Sequence, residues 1–359
     1  MASFKEICFT PAEFTALAKL KKDQFNLLEA QGRINTIKKK MGNVDRKMIT
    51  LEDLQAYFQS TRTMDNMGTG AELAGHPIPV EAIENATSGN SVATATAATI
   101  NGAFLLKDPT HKIQMFYNVK GGTGKSTLTA QYVMRAAMMG LKVLAIDLDG
   151  QGHLTVNLDV LDAHERPTVY DVLINDLPIQ ESVINVAPCL DLIPANLGLC
   201  NIEIPLNNKP RREYRLAEAI TEIADHYDLI VADTNPAASI LNCSMMVASN
   251  LINVVCATNP LSFHGMSLVM ATIEDMEREF RKQMNVKIVP NMYDNREVIS
   301  QEVLGELRSQ FSDWCARSVI NRSADLNEAT KRRTTVWDVN PKGTAATDIN
   351  SMAEELLFS

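Results

Sequence analysis

The spacing of apolar residues changes character twice along this chain of 359 residues. Residues 4–60 carry short helical runs. Thr10-Pro11-Ala12-Glu13 has the residues of a capping box and opens toward Leu17, residues 21–30 form a second segment, and Thr50-Leu51-Glu52-Asp53 opens a third that ends near Phe58. From residue 61 to 107 the composition turns to Gly, Ala, Thr, Ser and Asn, with almost no charge over 85–103, as in a linker. Beyond it, apolar β-branched runs at 112–118, 142–147, 189–194, 229–233, 252–258 and 286–291 read as strands. Helical spacing lies between or after them at 128–139, 211–225, 263–281, 297–311 and 348–358. Strands that are apolar throughout and joined by helices form a doubly wound parallel α/β sheet. The expected organisation is a small helical domain (1–60), a linker (61–107) and an α/β domain (108–359).

The first strand of the α/β domain leads into Lys120-Gly121-Gly122-Thr123-Gly124-Lys125-Ser126-Thr127, and a helix follows. This is a phosphate-binding loop with a second lysine in place of the first glycine of the plain form. Its glycines let backbone N–H groups approach phosphate oxygens, Lys125 brings charge to the β- and γ-phosphates, and Ser126 offers a hydroxyl to Mg2+. The helix behind the loop adds free N–H groups and its positive dipole end.

Two further runs end in carboxylates. Residues 142–146 lead to Asp147-Leu148-Asp149-Gly150-Gln151-Gly152, and Leu229-Ile230-Val231-Ala232 leads to Asp233. Strand ends are where open α/β sheets bind ligands, and an acid at the end of such a strand suits a Mg2+-bound water. A strand-end Asp can also be a helix cap, but three beside a phosphate loop favour the chemical reading.

The formal charge is −9 and the pI near 5.3, so the whole chain is no polybasic nucleic-acid or membrane binder. Locally the balance reverses. Residues 32–47 hold Arg33, Lys38, Lys39, Lys40, Arg46 and Lys47 against Asp45 alone. Two helices followed by a basic strand-turn-strand resemble a winged helix-turn-helix that contacts DNA, while a solvated charged face is the plainer alternative. The six cysteines are scattered without a C-x-x-C pair, which argues against a zinc site and a disulfide framework and points to a reducing cytoplasm. No export signal or membrane span is expected.

Lys-Gly-Gly-Thr-Gly-Lys-Ser-Thr, Asp-Leu-Asp-Gly-Gln-Gly-His and Val-Ala-Asp-Thr-Asn-Pro together resemble the deviant phosphate loop, companion motif and magnesium strand of the ParA family of partition ATPases. The resemblance runs to the end of the chain, and the N-terminal head is similar to that of larger plasmid-type members. It implies a Mg2+-dependent ATPase that closes as an ATP-bridged homodimer, binds DNA non-specifically, and is stimulated by a ParB-type centromere-binding partner. Lys120 matches the lysine that reaches the partner subunit's phosphates, and Lys125 the loop lysine in cis. Ser126 and Asp233 match the magnesium positions, Asp149 the carboxylate that orients attacking water with Asp147 in support, and Asn291 an adenine contact. Arg296 and Arg322 match basic DNA contacts. Asp325 stands where chromosomal members often carry Arg, so such contact is expected to shift to Lys331, Arg332 and Arg333. Gly150 stands where Pro is usual and Asn235 where a small residue or Pro is usual; neither removes a charge. A nucleoid-associated cytoplasmic protein follows from the resemblance, with autorepression of its own operon through residues 4–60 as the alternative function. A membrane-positioning role is disfavoured, because the last helical run carries Asp348, Glu354 and Glu355 and no Lys or Arg.

Overall fold

A computed structural model describes residues 8–18, 20–41, 44–66 and 109–358, which fall into two units divided at residues 107 and 108. Residues 67–107 of the expected linker lie outside the described residues.

The first unit comprises β1 (Cys8–Phe9), α1 (Pro11–Leu17), α2 (Lys22–Ala30), β2 (Ile37–Met41), β3 (Val44–Thr50) and α3 (Leu51–Asn66). Its antiparallel sheet has the order β1-β3-β2. The core is aromatic: Phe14 meets Phe25 and Tyr57 edge-on, with ring centroids 5.6 and 5.4 Å apart. Thr50 caps α3 by accepting from Asp53 N at 3.1 Å while its own hydroxyl donates to the Asp53 carboxylate. The third helix runs to Asn66, past the expected end near Phe58 and the boundary at residue 60. Gln59 to Asn66 contains no Gly or Pro to stop it.

The second unit is a seven-stranded sheet in the order β10-β9-β4-β8-β5-β7-β6. These strands are β4 (Ile113–Tyr117), β5 (Val143–Leu148), β6 (Ile184–Ala187), β7 (Leu190–Ile193), β8 (Leu229–Thr234), β9 (Leu251–Ala257) and β10 (Asn285–Asn291). All pair in parallel except the edge strand β6, which runs antiparallel to β7. β6 departs from the expected all-parallel sheet; with only four residues, half-exposed or exposed over its first two, it lacks the continuous apolar run of a central strand. The expected helix at 211–225 begins only at Arg215, since Arg211 sits in the left-handed region at φ 52°. Additional helices at Ile240–Ala248 and Ala324–Arg332 complete the layers. Every residue of β5, β8 and β9 is buried, which accounts for their mainly apolar character, interrupted only by Asp147, Asp233, Thr234 and Asn253. Among the described residues no helix is long and apolar enough to cross a membrane.

Candidate nucleotide site

The parallel register assembles the site. β4 and β5 both pair with β8, so Phe116 stands opposite Asp233 and Asp147 stands opposite Asp233 on the other side. Three segments distant in sequence thereby end side by side: the loop after β4, the acids after β5 and the acid closing β8.

The loop passes into the helix Lys125–Met138 through Gly124, which caps it at φ 92°, a conformation costly for any residue with a Cβ. It is held from beneath. Asn118 donates to Val255 O at 2.7 Å and accepts from Lys120 N at 2.9 Å, while Asn291 Nδ2 donates to Thr123 O at 2.7 Å. Asn291 is 4 % exposed, so its amide braces the loop from within the fold. Gly121 and Gly122 are exposed at the loop's tip.

The two lysines point to different tasks. Lys125 is buried at 6 % exposure, its Nζ 3.5 Å from Lys120 O, and burial lowers its pKa against the opposing pull of Asp233 and Asp149. Lys120 is half-buried, and its Nζ reaches Ser262 Oγ at 3.2 Å and Asn259 Oδ1 at 3.5 Å, at the start of the helix Pro260–Phe280.

The acids also divide their work. Asp147 is fully buried and spends its oxygens on the chain: Oδ1 accepts from Asp149 N at 3.1 Å, and Oδ2 accepts from Thr155 N at 2.9 Å and Thr155 Oγ1 at 2.7 Å. Burial nonetheless raises its pKa to about 6. Asp149 is half-exposed and accepts from Gln151 N at 3.0 Å. Asp233 is fully buried; Thr129 Oγ1 donates to its Oδ1 at 3.4 Å, and its Oδ2 has no hydrogen-bond partner among the described residues. Burial, then the charge of Asp147, pushes its pKa up to about 8, with the nearby Ser126 hydroxyl and Lys125 acting in the opposite direction.

An orphaned buried carboxylate oxygen is costly unless something occupies it. A divalent cation fits that need: Ser126 and Asp233 would hold Mg2+, which supplies positive charge to phosphate oxygens and restores the Asp233 carboxylate to its ionised form. The Thr123 hydroxyl, also buried without a partner among the described residues, offers a further polar group at the loop. Thr127 is half-buried in the first turn of the helix.

The candidate DNA contacts are dispersed. Arg296 is exposed but bound to Asp294 through two contacts of 2.9 and 2.6 Å, which hold that carboxyl well below the usual range. Arg296 and Arg322 line one polar depression of about 590 Å3 with Lys342. Arg332 pairs with Glu328 at 2.7 Å, Arg333 lies 3.6 Å from Asp159, and Lys331 is exposed. In the first unit Lys38, Lys39 and Arg46 are exposed on the β2–β3 hairpin. Lys47 pairs with Glu29 of α2, Arg33 is half-buried, and the Lys40 side chain lies outside the described residues.

Several residues that hold the site carried no separate signal in the sequence: Thr129 on Asp233, Thr155 on Asp147, and Asn259 and Ser262 at Lys120. Each acts through a partner that only strand pairing or loop closure brings near.

A mainly parallel sheet with a glycine-rich loop after the inner strand β4, a buried loop lysine and strand-end acids defines a P-loop nucleotide hydrolase. Residues 111–286 match the family model described as an AAA domain. The chain is 30% identical over 249 residues to the cell division protein PomZ of Myxococcus xanthus, covering 69% of this chain and 78% of that one. It is 32% identical over 216 residues to the chromosome partitioning protein ParA of Caulobacter vibrioides, covering 59% and 81%. A plasmid partition protein of Borrelia burgdorferi B31, solved bound to AMPPNP, shares the fold with a TM-score of 0.59 at 20% identity, covering 68% and 98%. The chain belongs to the ParA family of partition ATPases. It is accordingly an ATPase, and ATP and Mg2+ are its cofactors.

Proposed function

We propose that this ATPase drives DNA segregation by a nucleotide switch: ATP closes a homodimer that binds DNA non-specifically, and a ParB-type centromere-binding partner stimulates hydrolysis. The observation that carries the reading is the division between the two loop lysines. Lys125 is buried among the acids of its own subunit, whereas Lys120 is half-buried and bonded to Asn259 and Ser262 away from those acids, and would exchange these contacts for phosphates of another subunit. Within the site, Asp149 orients the attacking water, Asp147 holds the Asp149 backbone, Ser126 and Asp233 carry Mg2+, and the loop from Lys120 to Thr127 holds the triphosphate. Catalysis then rests on positioning and charge, as phosphoryl transfer generally does. ATP can shift the equilibrium toward the dimer only through contacts that ADP lacks, and Lys120 on the γ-phosphate is such a contact. Arg296, Arg322, Lys331, Arg332 and Arg333 are the basic contacts assigned to DNA in this reading, in which the ATP form acts at the nucleoid in the cytoplasm.

The test is binding to a random duplex with ATP, ADP or no nucleotide across a salt series, for the wild type and Lys120→Gln. Binding should require ATP, disappear in Lys120→Gln, and weaken with a log–log salt slope of about 0.9 per phosphate contacted. Nucleotide-independent binding would sink the switch.

The first unit supports a second DNA role, as a winged helix-turn-helix reading operator sequence over residues 1–60. Its warrant is the hairpin that follows two helices and exposes Lys38, Lys39 and Arg46. Reversing these three charges should abolish operator binding while sparing ATP-dependent non-specific binding; loss of both together would refute a separate reader.

A further inference from the structure

The segment after β7 closes on the Asp149 loop at a point where a side chain larger than glycine would be crowded. Gly150 is buried, and a Cβ added to it would lie 2.4 Å from Cys200 Sγ, 3.0 Å from Cys200 N and 3.4 Å from Cys200 Cα. Its φ is not in the left-handed region, so what glycine offers here is space and not conformation. The same segment touches the loop at two more points. A Cβ at Gly152 would lie 3.2 Å from Ala195 O, and Ala195 N donates to Thr155 Oγ1 at 3.0 Å, the hydroxyl that in turn donates to Asp147.

Cys200 is not easily displaced. It belongs to a short 3-10 turn, Leu197–Asn201, capped where Asn196 Oδ1 accepts from Gly198 N at 2.9 Å. Leu199 and Ile202 on either side are each 2 % exposed and anchored in the core. The thiol can rotate, but the Cys200 backbone nitrogen cannot retreat without moving those anchors.

We propose that Cys200 is a positioning residue for ATP hydrolysis: its backbone and side chain, packed on the Gly150 backbone, set the place of the neighbouring Asp149, and Gly150 and Cys200 form a matched pair. The proposal rests on the reading of Asp149 as the group that orients water. A larger residue at 150 must push the Asp149 loop or the 197–201 turn outward. Displacement of a catalytic group by about 1 Å costs up to roughly 10²-fold in rate. Nucleotide binding depends on the loop at 120–127, which this contact does not touch, so the loss should fall on kcat.

The test compares steady-state ATPase activity and fluorescent-nucleotide binding for Gly150→Ala, Cys200→Val, the double variant Gly150→Ala/Cys200→Ala and Asp149→Asn. Gly150→Ala should lower kcat about tenfold or more while KM and nucleotide affinity stay within about twofold. Removing Sγ in the double variant relieves the shortest contact and should recover at least half of that loss on a logarithmic scale. Cys200→Val, at an exposed position, should lower kcat in the same manner and carries the test if Gly150→Ala does not fold. Wild-type kcat in either single variant, or a loss that the double variant leaves unrelieved, overturns the proposal. Wild-type hydrolysis by Asp149→Asn would overturn the role of Asp149 and the proposal with it, whereas an inactive Asp149→Asn beside a fully active Gly150→Ala would overturn the pair alone.

Discussion

Replacing Asn291 with Ala separates two roles that one side chain could fill. In the structure its Nδ2 donates to Thr123 O at 2.7 Å, both residues are almost wholly buried, and the missing Cβ of Gly124 would fall 2.4 Å from the same nitrogen. The amide therefore sits under the phosphate loop as a strut. Asn291→Ala leaves the Thr123 carbonyl buried and unpaired, which costs about 1–3 kcal/mol. If that cost falls on the ordered loop, nucleotide affinity drops about 5- to 150-fold at roughly 1.4 kcal/mol per decade. The assay is competition for a fluorescent nucleotide by ATP, GTP and inorganic tripolyphosphate. A strut should lose affinity by the same factor for all three, because all three bind through phosphates. Asn291→Asp should lose more at neutral pH, since a carboxylate faces the carbonyl, and recover as pH falls and the acid regains a donor. A loss confined to ATP, with tripolyphosphate unaffected, would show that Asn291 reads the base and would refute the strut argument.

Metal-free protein should become less stable as pH rises. Asp147 and Asp233 hold protons more tightly folded than unfolded, so their contribution is complete below the ordinary aspartate value of 3.8 and is lost as pH climbs through about 6 and about 8. Asp233→Asn should thus stabilise the apo protein at pH 8 by about 1 kcal/mol or more, some 2–4 °C per kcal/mol in a thermal melt, while abolishing Mg2+-dependent hydrolysis. An unchanged or lower melting point in Asp233→Asn would contradict the buried-acid account. Gln131 ties the phosphate-loop helix to the segment before the last helices, donating to Thr334 O at 3.0 Å and accepting from Val336 N at 2.9 Å. Gln131→Ala orphans two buried backbone groups and should cost about 2–4 kcal/mol in urea unfolding; a loss below 1 kcal/mol would mean that water replaces the amide.

The phosphate loop, its following helix and the strands that end in Asp147 and Asp233 were legible from sequence, because each is a local matter of residue type and period. Glycines at fixed offsets and unbroken apolar runs report backbone geometry and two-sided burial without reference to the rest of the chain. The limits of local reading appear at α3, which runs on to Asn66 because polar residues without a breaker extend a helix, and at β6, whose four residues carry too little pattern. Pairing decided the rest. That Asp147 and Phe116 flank Asp233, that Asn291 supports Thr123, that Lys120 turns to Ser262 while Lys125 is buried, and that Gly150 makes room for Cys200 are contacts between distant segments. Sequence determines which groups stand at the strand ends. Only the parallel register and the closure of loops over it determine which of those groups share a dielectric, lose their water and so acquire shifted charge, and which remain surface residues of the same type.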